Sequence, residues 1–209
     1  MARARANMIS AAAALQRLRE GNQAFVAGTA DLNPGNRPTP TSTAQTPFAI
    51  ILGCSDSRVP AEIVFGQGLG DLFVIRVAGN IVAPSLVGSV EFAAASFGTR
   101  LVVVLGHSHC GAVQATLEEL EEPVADRSPN LAAIVERIRP AVEPVLAEHQ
   151  HADRDTLVRA AVRANIRISV DQLRHGSAIL SDLVEHDDLA IVGAEYDLDT
   201  GVVEFFDNL

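Results

Sequence analysis

The sequence predicts an α/β fold: a mostly parallel central sheet of about four parallel strands plus one antiparallel edge strand, flanked by helices, with a projecting N-terminal helix. Three observations carry this. The runs Phe48-Ala49-Ile50-Ile51-Leu52 and Leu101-Val102-Val103-Val104-Leu105 are continuous, apolar and rich in β-branched residues, and they stop at Gly53 and Gly106. Such runs mark strands buried on both faces, as parallel sheets require. Between and after them the apolar spacing becomes helical, and strands alternating with helices build parallel sheets. Near the end, Asp199-Thr200-Gly201 reads as a hairpin turn, which makes the last strand antiparallel.

At 209 residues the chain is long enough for a sizeable core, and no repeat, low-complexity stretch or second domain interrupts it. It is read as a single domain, 1–209, with an N-terminal helical arm and extended connection over 1–47 and an α/β core over 48–209. Hydrophobic residues make up 48% and aromatics only 4%, with no Trp, so the core must be aliphatic. A formal charge of −10 argues against nucleic acid or an anionic membrane as partner. No apolar run approaches the ~20 residues of a membrane span. Gln16 and Arg17 interrupt the apolar stretch 9–18, which therefore lacks the core of an export signal. Two cysteines are too few for a disulfide scaffold and suit a reducing compartment, so the expectation is cytoplasmic.

In chain order, apolar residues at helical spacing predict a helix over 8–27, with Asn7 or Ser10 as N-cap and Gly28 as its stop. Its weak amphipathicity predicts packing on a partner rather than on its own core. Pro34, Pro38, Pro40 and Pro47 make 29–47 an extended surface connection. A strand follows over 48–53, then a helical turn over 60–65. Gly66-Gln67-Gly68-Leu69-Gly70-Asp71 is read as a tight turn, because it lacks the lysine of a phosphate loop and the spacing of a dinucleotide fingerprint. A strand over 72–77 leads to a helix over 84–97 whose expected buried face is Leu86, Val90, Phe92 and Ala93. A third strand covers 101–106 and a helix 111–122. Helical patterns follow over 129–148, 153–174 and 176–186, then strands over 189–195 and 202–206.

The chemistry lies just past the first and third strands. Cys54-Ser55-Asp56-Ser57-Arg58 follows one, and His107-Ser108-His109-Cys110-Gly111 follows the other. In open α/β sheets the carboxyl ends of strands are where ligands bind, so two thiols and an imidazole converge on one crevice. That donor set reads as a zinc site. Three protein ligands, Cys54, His107 and Cys110, leave a fourth tetrahedral position open, as in catalytic zinc. Zinc lowers the pKa of bound water toward ~7 and supplies hydroxide. Asp56 and Arg58 alternate with Cys54, and an arginine fork fixes a carboxylate's orientation. Asp56 is then placed to accept a hydrogen bond from the hydroxide or, if Arg58 releases it, to become a fourth ligand and close the site. His109 is read as an exposed loop histidine.

The pairing of Cys-Ser-Asp-Ser-Arg with Gly-His-Ser-x-Cys-Gly some fifty residues later resembles the β-class carbonic anhydrases. The likeness extends to Leu18-Arg19-Glu20-Gly21-Asn22, Phe73-Val74-Ile75-Arg76, Val90-Glu91-Phe92 and 193–196, nearly the whole chain. It implies one Zn2+ per subunit on Cys54, His107 and Cys110, with Asp56–Arg58 as a catalytic dyad. It implies reversible hydration of CO2 to bicarbonate and a proton by attack of zinc-bound hydroxide. It also implies homodimers or homotetramers that exchange N-terminal helices. Gln45 matches a glutamine that hydrogen-bonds substrate, and Phe73 an aromatic of the apolar pocket, reached from the neighbouring subunit. Ala78 and Phe92 fall where Val and Tyr often line that pocket. Some members have an allosteric bicarbonate site built on Trp, Arg and Tyr. Arg76 and Tyr196 match two of these, but Ile51 replaces the Trp. Hydrolysis of carbonyl sulfide or carbon disulfide, and a non-catalytic zinc protein closed by Asp56, are the competing readings.

Overall fold

The computed structural model describes residues 9–31, 45–122, 128–149 and 151–206. Among the described residues the five strands are β1 (Ala49–Cys54), β2 (Leu72–Val77), β3 (Leu101–His107), β4 (Ala190–Tyr196) and β5 (Val203–Phe205). They form one sheet in the order β2-β1-β3-β4-β5. β1 pairs in parallel with β2 and β3, β3 in parallel with β4, and only β5 runs antiparallel, against β4. The helices are α1 (Ala11–Val26), α2 (Ala61–Val64), α3 (Pro84–Phe97), α4 (Gly111–Glu121), α5 (Pro129–Glu148), α6 (Arg154–His175) and α7 (Ala178–His186). A 3-10 turn, Ala78–Asn80, follows β2. Element boundaries lie within a few residues of those expected. The proline-rich connection falls largely on residues 32–44, and Asn7 on 1–8, outside the described residues.

Every residue of β1 and β3 is buried, because both are central strands covered on two faces. The pleat sends alternate side chains to opposite faces. Ile50, Leu52, Cys54, Val102 and Val104 join the core beneath α3–α7. Ala49, Ile51, Leu101, Val103 and Leu105 join a second core with Leu15, Leu18, Val64 and Phe65 from α1 and the α2 region. This alternation puts the Cys54 side chain on the same face as α4, the helix that begins beside Cys110.

Two expectations are corrected. α1 packs on its own chain: Ala14, Leu15 and Leu18 are buried in the second core. Its anchor is polar. Buried Asn22 donates from Nδ2 to the carbonyls of Val64 (3.1 Å) and Gly201 (2.9 Å) and accepts at Oδ1 from the Val203 N–H (2.9 Å). Gly21 permits this docking, since a Cβ there would lie 1.8 Å from the Phe65 carbonyl oxygen. On α3 the buried stripe is Val90, Ala93 and Ala94, and Phe92 is 53% exposed. Two residues past Val90 on a 3.6-residue turn, Phe92 points away from that stripe. It instead meets Phe73 and Phe97 in an aromatic cluster, with ring centroids 6.3 and 5.4 Å from its own.

Candidate metal centre

Cys54 ends β1, His107 ends β3, and Cys110 stands at the N-cap of α4. The parallel register of β1 and β3 brings the first two side by side, and the two-residue loop 108–109 folds Cys110 back beside them. Their ligand atoms all lie within 4.8 Å of one another, and all three residues are buried. Both thiols are free.

The imidazole shows what this cluster is prepared for. His107 Nδ1 lies 2.9 Å from the Ser108 carbonyl, which only accepts, so Nδ1 carries the proton and Nε2 keeps its lone pair. That Nε2 is fully buried and has no hydrogen-bond partner. A buried acceptor left unpaired is costly, and here it faces two sulfurs. The Cys110 thiol donates to Cys54, and this outweighs burial to hold Cys54 well below the ordinary thiol range, with His107 and the Gly79 N–H assisting. Cys110, the proton holder, is pushed up by the same bond and by burial. On His107, burial presses the pKa down but the Cys54 thiolate beside it outweighs burial, so the net direction is upward. A cation among these donors would displace the proton that Cys110 holds and take up the Cys54 thiolate and the His107 Nε2 lone pair. Two sulfurs and one nitrogen are the donor set zinc favours, and three ligands leave a position open.

Asp56 and Arg58 form the rim. Arg58 donates to Asp56 Oδ1 from its backbone N (2.9 Å) and Nε (3.0 Å), and to Oδ2 from a terminal guanidinium nitrogen (2.8 Å). This bidentate grip holds the Asp56 carboxyl well below the usual carboxylate range. Oδ2 also lies 3.9 Å from His107 Nε2, so the carboxylate overlooks the donors without touching them.

The other sequence-derived positions separate into near and far. Ala78 opens the turn whose next residue, Gly79, donates its N–H to Cys54 Sγ at 3.4 Å. Gln45 is exposed and precedes Pro47, whose carbonyl is tied to Thr99 at the amino end of the sheet. β1 runs from there to Cys54, about 17 Å at ~3.4 Å per residue. Phe73 pairs with Ile50 in the register, four residues short of Cys54. Neither reaches the donors of its own chain, and Phe92 lies with Phe73. His109 is exposed, with Nε2 3.4 Å from Asp199 Oδ2.

One contributor was not assigned this role from sequence. Arg76 donates to the carbonyls of Cys54 (3.0 Å) and Asp56 (2.5 Å), fixing the loop that carries ligand and rim. Its position on β2 opposite Gly53, adjoining the Cys-x-Asp-x-Arg loop, is the signal that points to it.

A family model described as "Carbonic anhydrase" matches residues 49–203. The chain is 39% identical over 200 residues to a carbonic anhydrase of Mycolicibacterium smegmatis, covering 94% of each chain. It is 38% identical over 192 residues to carbonic anhydrase 2 of Mycobacterium tuberculosis, covering 90% of this chain and 89% of the relative. Among solved structures, the β-carbonic anhydrase CafA of Aspergillus fumigatus superposes with a TM-score of 0.72 at 27% identity, over 93% of this chain and 89% of that one. The β-carbonic anhydrase CcaA superposes with a TM-score of 0.71 at 29% identity, over 92% and 95%.

Proposed function

This chain belongs to the β-class carbonic anhydrase family, and from that premise we propose that it interconverts CO2 and bicarbonate with one Zn2+ held by Cys54, His107 and Cys110. The observation that carries the metal assignment is the buried, unpartnered Nε2 of His107 facing two sulfurs. When bound, zinc supplies a Lewis acid that brings the pKa of water toward neutrality. The residues of the chain do the rest. Asp56, kept ionised by Arg58, only accepts hydrogen bonds, so it holds the proton of the attacking water at Oδ2 and turns the oxygen lone pair toward the substrate carbon. Arg58 also keeps Asp56 from turning inward to join Cys54, His107 and Cys110 as a fourth donor. The released proton leaves by the exposed rim of Ser55, Ser57 and Arg58 to buffer.

Gln45, Phe73 and Phe92, remote from the donors of their own chain, serve as substrate-binding residues in the site of a second copy, alongside Ala78. The unit is therefore a homodimer or homotetramer of a single functional domain, 1–209. The half-exposed aromatic cluster of Phe73, Phe92 and Phe97 supports this reading, since exposed aromatic patches mark interaction surfaces. Two free, metal-binding thiols fit a cytoplasmic setting, and no helix among the described residues is long and apolar enough to cross a membrane. The metal assignment is tested by Cys54→Ala, which loses zinc and activity together. Stoichiometric zinc in that variant by elemental analysis refutes the ligand set.

A further inference from the structure

The face of α6 that packs on the sheet is apolar, with Leu157, Val158, Ala161, Val162, Ile166, Val170 and Leu173 buried, yet it also buries Asn165 and Ser169. Buried polar side chains must find partners to offset their desolvation. Both bond to one place. Asn165 Nδ2 donates to the Gly79 carbonyl at 2.8 Å, and Ser169 Oγ to the Asn80 carbonyl at 3.2 Å. One helical turn of α6 thus holds two consecutive peptide carbonyls.

Those two residues form a strained turn. Gly79 has φ 71° and Asn80 φ 43°, both in the left-handed region. A non-glycine residue persists there only where its surroundings over-determine it. On the opposite side Ile138 and Ala112 close over Gly79, so the turn is clasped by α4, α5 and α6. The consequence of this geometry is one N–H, that of Gly79, directed at Cys54 Sγ. A hydrogen bond to a coordinating thiolate draws electron density from sulfur and orients its remaining lone pairs, which sets how strongly and how long the metal is held.

We propose that Asn165, assisted by Ser169, is a positioning residue for the metal centre, pinning the Gly79–Asn80 turn so that the Gly79 N–H stays aimed at Cys54 Sγ. The proposal rests on the reading of Cys54 as a metal ligand. It gives α6, which contributes no ligand, a part in tuning one.

The test uses full-length protein loaded with Co2+, in wild type, Asn165→Leu, Ser169→Ala and Ser169→Thr. Two quantities are read: the energy of the thiolate-to-cobalt charge-transfer absorption, and the rate of metal release to a chelator. Melting of each metal-free protein is recorded separately. Asn165→Leu shifts the absorption to lower energy and speeds release by roughly tenfold or more, the scale of outer-shell substitutions at metal sites. Ser169→Ala moves both readouts in the same direction by less, and Ser169→Thr, which keeps the hydroxyl, restores them. Variants that melt at lower temperature but keep the wild-type absorption and release rate overturn the proposal, because a purely structural role moves stability alone. If Asn165→Leu does not fold, the two Ser169 variants decide by the same criteria. Absence of thiolate-to-cobalt absorption in the wild type brings down the metal-ligand reading itself, a failure distinct from unchanged variants.

Discussion

Gly79→Ala is the substitution for which the structure gives the sharpest expectation. Gly79 has φ 71°, where an L side chain costs roughly 1–2 kcal/mol. The added Cβ would also lie 2.7 Å from Ile138 Cδ1 and 3.1 Å from Ala112 Cβ. The isoleucine tip has room to rotate only into a packed core, because Ile138 is fully buried, and the alanine cannot move without α4. Overpacking of this kind costs about 1–3 kcal/mol. The sum is about 2–5 kcal/mol, which corresponds to roughly 4–20 °C in melting temperature at this chain length. Calorimetry or denaturant unfolding of the chelated protein reads it without interference from metal binding. Ile138→Val removes Cδ1, the atom in conflict, and alone costs about 0.5–1.5 kcal/mol. The double variant is therefore less destabilised than the sum of the two single variants, with a favourable coupling of about 1 kcal/mol. A wild-type melt for Gly79→Ala, or strictly additive effects with Ile138→Val, refutes the packing argument.

Arg58→Ala removes the two guanidinium hydrogen bonds that grip Asp56 and leaves only the backbone N–H on Oδ1. It abolishes CO2 hydration while zinc stays stoichiometric, and full activity in that variant removes the dyad from the mechanism. Gln45→Ala and Cys54→Ala homo-oligomers are each inactive or nearly so. Co-refolding the two restores measurable turnover if each site borrows Gln45 from a second copy, whereas no recovery in verified mixed oligomers rejects a shared site.

The donors were legible because their signal is a coincidence of two kinds. Cys54 and the His107–Cys110 pair are metal-binding residue types, and each follows an apolar run that ends in glycine, so strand prediction alone brought them to one sheet edge. The parallel order was legible for the same reason: β1 and β3 carry no polar alternation, which only doubly covered strands tolerate. The docking of α1 was not legible. Hydrophobic periodicity sees Leu15 and Leu18 but is blind to Asn22, which pins three backbone groups, and to Gly21, whose value lies in what it lacks. Phe92 misled because an aromatic in a helix looks buried until its angle to Val90 and Ala93 is worked out. Asn165 and Ser169 left a readable trace, polar residues spaced by four within an apolar stripe, but their partners lie some 86 and 89 residues away. No local pattern names such partners. Gln45 and Phe73 mark the same limit at the scale of the proposed assembly, since both lie remote from the donors of their own chain.

The central claim is that these residues, with zinc, turn over CO2. Stopped-flow CO2 hydration from about pH 6.5 to about pH 9, by zinc-loaded and chelated protein side by side, tests it most directly, since the range spans the ~7 expected for zinc-acidified water. The account predicts turnover that depends on zinc and rises with pH. Zinc bound stoichiometrically with no turnover at any pH contradicts it.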